Sequence, residues 1–373
     1  MSQAATRLLE PLRAQTGAMV KRLAELVTCE SPSSEPAALS HCAEILAGIA
    51  REVTGKPVTL DNQGQAPVLH IGERDAPVVL LGHLDTVHPL GTLGEFPFER
   101  RDGRISGPGV LDMKAGLVQA LYAMSLADTG QVCLVVTADE EVGSPSSRPL
   151  IERLARNARA VLVLEASSSG RLKTARKGVS TYRLHFAGRS AHAGLEPQRG
   201  ANACVAMAGA VLDAAGLANH AMATTVTPTV ASAGITANTV PDRASLTIDV
   251  RAVTTAEQQR VDEAFRRLAS RVDGVQIEVA GGINRPPLQA VASGQLFTMA
   301  QRACRELGLA SVGEEHVGGG SDGNFAAAVG AQVLDGLGAV GEGPHTRTEW
   351  ISETALAERA ALLARLVELL TSN

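Results

Sequence analysis

The chain has 373 residues, of which 45% are hydrophobic and 20% charged, and its formal net charge is −5 at pH 7. The length predicts two domains or one large discontinuous domain, and the composition excludes a disordered chain. We expect a cytoplasmic protein that binds neither nucleic acid nor membrane, because the charge is acidic, no apolar leader or run of about 18 apolar residues is present, and the five cysteines form no C-x-x-C pair.

The first half of the chain has the alternating pattern of a layered α/β domain. Apolar residues at helical spacing predict a helix over residues 4–28, which the S-P-S-S cluster ends, and a second helix near 36–52. A third helical pattern covers 114–127. Continuous apolar runs predict strands that are buried on both faces of a sheet. These runs cover residues 78–81, 132–136 and 161–164.

The pattern changes at about residue 178. Residues 179–186 and 243–251 alternate strictly between apolar and polar side chains, which predicts an antiparallel sheet with one solvated face. Two helices and two further strands complete a β-α-β-β-α-β order, which is the ferredoxin-like order. These elements are predicted at 199–214, 255–271, 224–235 and 275–280.

The Pro286 and Pro287 pair ends this second pattern, after which the first pattern resumes. We therefore predict a discontinuous α/β domain of residues 1–176 and 286–373 with an inserted α+β domain of residues 177–285.

Side chains suited to catalysis follow the buried strands. His83 and Asp85 lie in G-H-L-D-T-V directly after the first strand, where alternation places an imidazole beside a carboxylate. Glu140 and Glu141 lie in T-A-D-E-E-V-G after the second strand, and Glu165 ends the third. A His-x-Asp pair is often structural and an acidic run is often a solvated face. The carboxyl ends of strands in open α/β sheets bind ligands, however, which favours a functional site.

Two more candidates lie in glycine-rich turns. Asp112 lies in G-P-G-V-L-D-M-K immediately before a helix, where an N-cap role is the alternative. His345 lies in G-E-G-P-H-T. Imidazole and carboxylate without thiolate fit Zn²⁺, Co²⁺ or Mn²⁺. Charge counting favours two metals, because Asp112, Glu141, Glu165 and one hydroxide match four positive charges.

A series of motifs between residues 78 and 350 resembles the dinuclear-zinc metallopeptidase family of glutamate carboxypeptidase, aminoacylase, acetylornithine deacetylase and succinyl-diaminopimelate desuccinylase. The spacing is most similar to that of bacterial folate-cleaving glutamate carboxypeptidases. The motifs are, in chain order, G-H-L-D-T-V, G-P-G-V-L-D-M-K-A-G, T-A-D-E-E-V-G-S, L-E-A-S, G-R-S-A-H-A-G, A-N-T-V-P-D, D-V-R and G-G-G-S-D-G.

The resemblance implies a zinc-exopeptidase-like layered α/β catalytic domain with an inserted ferredoxin-like lid and dimerisation domain. It also implies two zinc ions per subunit, with Co²⁺ and Mn²⁺ as the other metals. Asp112 would bridge the ions. His83 and Glu165 would hold one of them, and Glu141 and His345 the other. Two further carboxylates also have implied roles. Glu140 would be the general base, and Asp85 would support His83 from behind.

In the inserted domain the resemblance implies that His192 reaches the active site of a partner subunit in a homodimer and stabilises the oxyanion. Asn238 and Arg251 correspond to contacts with the substrate carbonyl and carboxylate, and Gly319 and Gly320 would let the backbone approach substrate. The alternatives are a loop histidine for His192 and an exposed strand residue for Arg251. A phosphate loop is the alternative for residues 318–323, although the G-K-[ST] ending is missing.

The resemblance thus predicts a zinc-dependent hydrolase that releases a C-terminal amino acid, with glutamate as the first expected product, from a peptide, folate-like or N-acyl substrate. An N-acyl-amino-acid deacylase or a dipeptidase would use the same site. A non-catalytic binding protein is a further alternative, but the intact ligand set argues against it. Four basic residues could contact an acidic substrate side chain, and the sequence leaves open which of them does so: Arg171, Lys173, Arg176 and Lys177.

Overall fold

The computed structural model describes residues 2–62, 64, 66–127 and 130–372. Two compact units divide the chain. The first unit comprises the described residues of Met1–Ala175, Leu288–Val317 and Ser321–Asn373, and the second comprises Arg176–Pro287 and Gly318–Gly320. The first unit carries the mixed α/β sheet, and the second carries an antiparallel α+β sheet.

The described residues form helices and strands that we number in chain order. The helices are α1 Glu10–Ala14, α2 Thr16–Val27, α3 Pro36–Thr54, α4 Ala115–Leu126, α5 Arg148–Asn157, α6 Ala203–Gly216, α7 Thr255–Arg266, α8 Gly294–Leu307, α9 Gly323–Ala328 and α10 Glu353–Thr371. The strands are β1 Val58–Asp61, β2 Val68–Gly72, β3 Val78–His83, β4 Glu99–Arg101, β5 Arg104–Ser106, β6 Val132–Thr137, β7 Ala160–Val163, β8 Leu172–Arg176, β9 Gly178–Ala187, β10 Ala191–His192, β11 Thr225–Ala233, β12 Thr239–Val240, β13 Arg243–Ala252, β14 Gln276–Arg285, β15 Glu314–Val317, β16 Val333–Leu334, β17 Gly341–Glu342 and β18 Trp350–Ser352.

The central sheet of the first unit has the order β1-β2-β6-β3-β7-β16. Strand β3 lies between β6 and β7 and is parallel to both. Alternate side chains face opposite cores, because successive residues of a strand point to opposite faces. Leu80 and Leu134 join the core that contains α3, α4 and α10, whereas Leu81 and Val135 join the core that contains α5 and α9. The predicted buried parallel strands are therefore confirmed.

The prediction of one helix over residues 4–28 is wrong. The segment forms three helical pieces, Ala5–Leu9, α1 and α2, with Gln15 at φ −94° and ψ 4° between the last two. Leu9 and Glu10 keep right-handed helical backbone, so the chain leaves the helix only at Gln15. Two local features accompany these departures from one regular α-helix. Pro11 has no backbone N–H to donate, and the Thr16 hydroxyl donates to the Arg13 carbonyl at 2.9 Å.

The second unit is built on the antiparallel sheet β11-β13-β9-β14. Strand β9 pairs with both β13 and β14, and its alternate residues are buried. Tyr182, Leu184 and Phe186 form the buried face, against which α6 and α7 pack. This arrangement is the ferredoxin-like fold that the alternating pattern predicts.

The cysteines of the described chain are free thiols. Four of them are buried, and Cys204 is half-buried. The four buried cysteines belong to the apolar cores of the first unit, which agrees with the expectation of core thiols. Among the described residues, none of the helices combines the length and the apolar character that a bilayer crossing requires.

Candidate metal centre and catalytic site

Three adjacent parallel strands bring the acidic and imidazole side chains of the first unit together. His83 is the last residue of β3 and lies opposite Thr137, the last residue of β6. Glu140 and Glu141 follow β6 in a short turn, and Glu165 follows β7. Because the carboxyl ends of parallel strands meet at one edge, these groups converge there.

Asp112 reaches this edge from a tight turn before α4. Gly109 in this turn has φ +71°, and a Cβ atom there would lie 2.5 Å from the Thr86 Cγ2 atom, so the turn needs glycine. The peptide bond between Asp112 and Met113 is cis. The first residues of α4 do not use Asp112 as a cap, because Lys114 occupies the N-cap position. The Asp112 carboxylate faces two histidines instead.

One carboxylate lies between two imidazoles. The Asp112 Oδ1 atom is 3.2 Å from His83 Nε2, and its Oδ2 atom is 3.1 Å from His345 Nε2. Glu165 approaches the first imidazole, with Oε1 at 3.6 Å from His83 Nε2. Glu141 approaches the second, with Oε1 at 3.3 Å from His345 Nε2. The arrangement has two halves that share Asp112.

The ligand atoms are close enough to share cations. Those of His83, Asp112 and Glu141 lie within 4.8 Å of one another, and so do those of His83, Glu140 and Glu165. Three buried atoms in this cluster lack a hydrogen-bond partner: His83 Nε2, Asp112 Oδ1 and Glu141 Oε1. Buried polar atoms are rarely left in this state without a bound group. Oxygen and imidazole nitrogen donors fit Zn²⁺, Co²⁺ or Mn²⁺, so the residues present fit a dinuclear metal centre.

The carboxylates of the cluster favour protonation of its two histidines, at the positions where cations would bind. Burial acts to lower the pKa of His83, but the neighbouring carboxylates of Asp112, Asp85 and Glu165 outweigh it and hold that pKa well above its usual value. The carboxylates of Asp112 and Glu141 raise the pKa of His345 to about 10. Burial opposes ionisation of Asp112, yet the two histidines hold its pKa far below the usual range. The cluster therefore attracts positive charge.

Asp85 lies behind His83 and acts through two different groups. Its main-chain carbonyl is 3.0 Å from His83 Nδ1, whereas its carboxylate Oδ1 is 3.4 Å away. A proton donated from Nδ1 to this carbonyl leaves the Nε2 lone pair for a cation. The carboxylate accepts hydrogen bonds from the Ser33 hydroxyl at 2.7 Å and from the backbone N–H groups of Glu140 and Glu141 at 3.3 and 3.1 Å.

The sequence did not single out three other buried acids of the first unit. Asp322 accepts hydrogen bonds from the hydroxyls of Thr137 and Ser144, and Asp139 accepts the Ser147 N–H at 3.1 Å. Glu349 accepts backbone N–H groups of the Asp112 turn. The position of Asp322 after the glycine run was a usable signal. No local pattern marks Glu349.

His192 and Asn238 lie together in the second unit. His192 ends β10, which pairs with β12 so that His192 lies opposite Thr239. The Asn238 carbonyl accepts the Ala193 N–H at 2.8 Å. His192 Nδ1 accepts the N–H groups of Gly194 and Leu195 at 3.1 and 3.2 Å. A neutral imidazole held in this way carries its proton on Nε2.

Arg251 lies on the polar face of β13 and is held by Asp249. Its Nε atom donates to Asp249 Oδ1 at 2.9 Å, and its Nη2 atom donates to Oδ2 at 2.9 Å. The side chain is 32% exposed. This ion pair uses one edge of the guanidinium, and the Nη1 and Nη2 edge faces away from it.

Three of the four basic residues from 171 to 177 donate side-chain hydrogen bonds within their own unit. Arg171 donates to Glu315 Oε2 at 3.1 Å, and the Lys173 backbone pairs with Asp335. In the second unit Lys177 donates to the Ala223 carbonyl at 2.5 Å. Arg176 donates to the carbonyls of two glycines at 3.1 and 3.3 Å, Gly319 and Gly320. These glycines present carbonyl oxygens to a cation, which disfavours the phosphate-loop alternative.

The family model described as peptidase family M20/M25/M40 matches residues 79–369. The chain belongs to the M20 peptidase family. Carboxypeptidase G2 from Pseudomonas sp. (strain RS-16) is 32% identical over 307 residues, which cover 78% of this chain and 73% of that enzyme. N-acetyl-L-citrulline deacetylase from Xanthomonas campestris pv. campestris is 32% identical over 163 residues, or 42% and 43% of the two chains.

Solved structures share the fold of this chain. The aminopeptidase PepT of Bacillus cereus has a TM-score of 0.75 at 22% identity and covers 96% of this chain and 99% of that one. A dinuclear metal-binding M20 peptidase of Bacillus subtilis has a TM-score of 0.67 at 18% identity, with 95% and 98% coverage. Family membership makes this M20 protein a hydrolase of the metallopeptidase and amidohydrolase type.

Proposed function

We propose that the first unit binds two divalent cations, with Zn²⁺ as the first choice, and cleaves an amide bond to release a C-terminal amino acid. The observation that carries the proposal is the position of Asp112, whose two carboxylate oxygens face two different imidazoles. His83 and Glu165 would hold one cation and Glu141 and His345 the other, and Asp112 would contribute to both. Glutamate is the first product to test, since carboxypeptidase G2 is a relative.

Glu140 serves as the general base in this proposal. Two bound cations would supply a Lewis acid for the scissile carbonyl and lower the pKa of a water molecule. Glu140 accepts a proton from the attacking water and delivers it to the leaving amine. The Asp85 carboxylate accepts the Glu140 N–H, and a Glu140 oxygen lies within 4.8 Å of ligand atoms of His83 and Glu165. The base is thus anchored at its backbone beside the ligands.

We further infer that the second unit, as the inserted lid and dimerisation domain, supplies substrate contacts. His192 offers an Nε2–H group, which suits hydrogen bonding to a developing oxyanion. Arg251 offers the guanidinium edge that Asp249 leaves open, which suits a carboxylate. Asn238 binds the substrate carbonyl, and Gly319 and Gly320 allow close approach of the backbone. In a homodimer His192 acts on the active site of the partner subunit.

A deacylase of N-acyl amino acids is the second candidate, with a dipeptidase as its variant. The deacylase is favoured by the state of the basic residues, because Arg171 and Lys177 donate to acceptors of their own units rather than remaining available for an acidic substrate side chain. The match to N-acetyl-L-citrulline deacetylase supports the same candidate. The two candidates share the metal centre and differ in substrate.

The test is release of free amino acids from a panel of N-acyl and N-aminobenzoyl amino acids, including folate-type glutamates. Protein stripped of metal is assayed with and without added Zn²⁺. Zinc-dependent release of glutamate from folate-type compounds supports the carboxypeptidase. Release from simple acyl amino acids alone moves the function to the deacylase. No release at full zinc occupancy contradicts both and supports a binding protein.

A further inference from the structure

Glu349 lies where a strand pairing brings two ligand-bearing segments together. Its side chain is fully buried in the first unit and immediately precedes β18. Strand β18 pairs with β5 in antiparallel register, with Trp350 opposite Ser106. The turn that leads from β5 to Asp112 therefore starts beside Glu349, and the chain that leads into Glu349 comes from His345.

Both oxygens of the Glu349 carboxylate accept hydrogen bonds. Oε1 accepts the N–H groups of Leu111 at 2.7 Å and Asp112 at 2.9 Å. Oε2 accepts the Gly109 N–H at 3.0 Å and lies 3.1 Å from His88 Nε2. An ionised carboxylate only accepts, so His88 donates from Nε2 in this contact. Four donors surround the two oxygens.

These donors belong to loops that carry the proposed ligands. His88 lies in the loop that begins after His83, and Leu111 and its neighbours form the turn that ends at Asp112. Glu349 itself continues the loop of His345. One buried carboxylate therefore joins three segments, although its hydrogen-bond partners in the Asp112 turn lie up to 240 positions away in the chain.

We propose that Glu349 is a positioning residue of the metal centre, whose carboxylate holds the loops of His83, Asp112 and His345 at the spacing that two divalent cations require. The inference rests on the proposed function, because it concerns the same centre. Glu349 is not one of the five proposed ligands. It acts through the backbone N–H of Asp112 and through the imidazole of His88.

The charge of Glu349 matters as well as its shape. A glutamine has the same size but replaces one oxygen by an NH₂ group, which would point a donor at N–H donors. At least one buried N–H of the Asp112 turn then loses its acceptor, which is unfavourable. The Asp112 turn shifts to relieve this conflict, and its carboxylate leaves the position between the two histidines.

The experiment measures metal binding by the full-length protein rather than activity. Protein stripped with a chelator is titrated with Zn²⁺ against a chromophoric competitor, and with Co²⁺ while the visible absorption spectrum is recorded. E349Q is compared with wild type and with E368Q. Glu368 is a buried glutamate of α10 in the same unit, paired with Arg7 and with Arg365 at 2.9 Å, and is therefore a matched control.

We expect E349Q to bind Zn²⁺ about 10 to 100-fold more weakly and to show an altered Co²⁺ spectrum, as loss of a group that orients ligands does. E368Q keeps the wild-type affinity and spectrum, even if it melts at a lower temperature. E349Q with wild-type affinity and spectrum overturns the inference. A wild type that takes up no cation instead refutes the proposed function, so the two failures are distinguishable.

A second variant covers the case in which E349Q does not fold. H88A removes one of the four donors, and H88Q offers an amide N–H group in its place. We expect H88A to weaken Zn²⁺ binding and H88Q to recover part of the loss. Wild-type affinity in H88A contradicts the inference.

Discussion

The Asp85 carboxylate accepts the backbone N–H of Glu141 at 3.1 Å and so joins the loop after β3 to the turn after β6. The loop carries His83, and the turn carries Glu140 and Glu141. Asp85 is fully buried. Its ionised form is favoured despite burial, because the hydrogen bond and charge of His83 hold its pKa below the usual value. The spacing between two parts of the proposed site therefore depends on one carboxylate.

Replacing Asp85 by asparagine should lower Zn²⁺ affinity by about 10 to 100-fold, since groups behind metal-binding residues have effects of this size. The amide presents an NH₂ group where the N–H of Glu141 now finds an acceptor. Competition with a chromophoric chelator measures the affinity. Ser33→Ala is the control, because it removes a single hydrogen bond to the same carboxylate. It should cost about 0.5 to 1.5 kcal/mol of unfolding free energy and leave the affinity near wild type. Equal affinities of D85N and wild type would contradict this role.

Glu140→Gln should lower kcat by about 10² to 10⁴-fold, which is the usual contribution of a general base. The metal content of the purified variant should match that of wild type, because Glu140 is not among the five proposed ligands. Elemental analysis and steady-state kinetics provide the two measurements. Glu152→Gln on α5 is the control, since Glu152 pairs with Arg148 and Arg156 and has no place in the site. Near-normal turnover of E140Q would reject Glu140 as the base.

Arg251→Ala should reduce kcat/KM by the equivalent of about 2 to 5 kcal/mol, if its guanidinium pairs with a desolvated substrate carboxylate. The loss should vanish for a substrate whose carboxylate is amidated. Asp249→Asn should raise KM to a smaller extent, because it loosens the Arg251 side chain without removing the charge. Arg243→Ala, an exposed residue of the same strand, is the control. The same loss for the amidated substrate would assign Arg251 another role.

His192→Ala should impair catalysis through loss of an Nε2–H donor. Mixing H192A with E140Q should restore activity if His192 acts on the partner subunit, because one site of the mixed dimer then has both residues. The control is each parent variant alone at the same total concentration. Mixed dimers are verified by differential tags before assay. Verified mixed dimers without recovery would show that His192 acts within its own chain.

Glu257 should make the stability of the protein depend on pH in the acid range. Hydrogen bonds from Arg260 and Thr224 lower the pKa of Glu257 to about 2, against about 4.3 in an unfolded chain. Its stabilisation is therefore complete above about pH 4.3 and is lost as the pH falls through 2. The unfolding free energies of wild type and Glu257→Gln should differ at pH 7 and converge as the pH falls.

The control for this prediction is Glu263→Gln, which changes an exposed glutamate of the same helix. Its unfolding free energy should stay near that of wild type at both pH values. A difference for E257Q that persists unchanged at pH 3 would contradict the prediction.

The sequence predicts the parallel sheet well because burial leaves a local signal. Residues 132–136 are apolar without interruption, and strand β6 covers them. The acids and histidine at the strand ends were accessible to the same reasoning, since they directly follow such runs. His83, Glu141 and Glu165 were selected in this way, and their atoms do converge. Hydrophobic periodicity did not predict the irregular helix geometry at Pro11 and Gln15, because single residues determine the backbone there.

No local sequence pattern marks the side chains that fix the loops of the proposed site in position. Glu349 acts on backbone N–H groups of a distant turn, and backbone groups carry no sequence information. A sequence motif also cannot show whether His83 Nδ1 pairs with the carbonyl or with the carboxylate of Asp85. Such roles depend on long-range strand pairing, which a one-dimensional pattern does not specify.

The order of the proposed ligands along the chain bears on synthesis. His83, Asp112, Glu141 and Glu165 all precede the second unit, whereas His345 follows it, close to the closing helix α10. A ribosome releases the N-terminal part first, and domains fold as they emerge. A nascent chain therefore has four of the five proposed ligands before the second unit is made and gains the fifth, His345, only afterwards. The proposed metal centre is therefore completed only after the intervening unit has been synthesised.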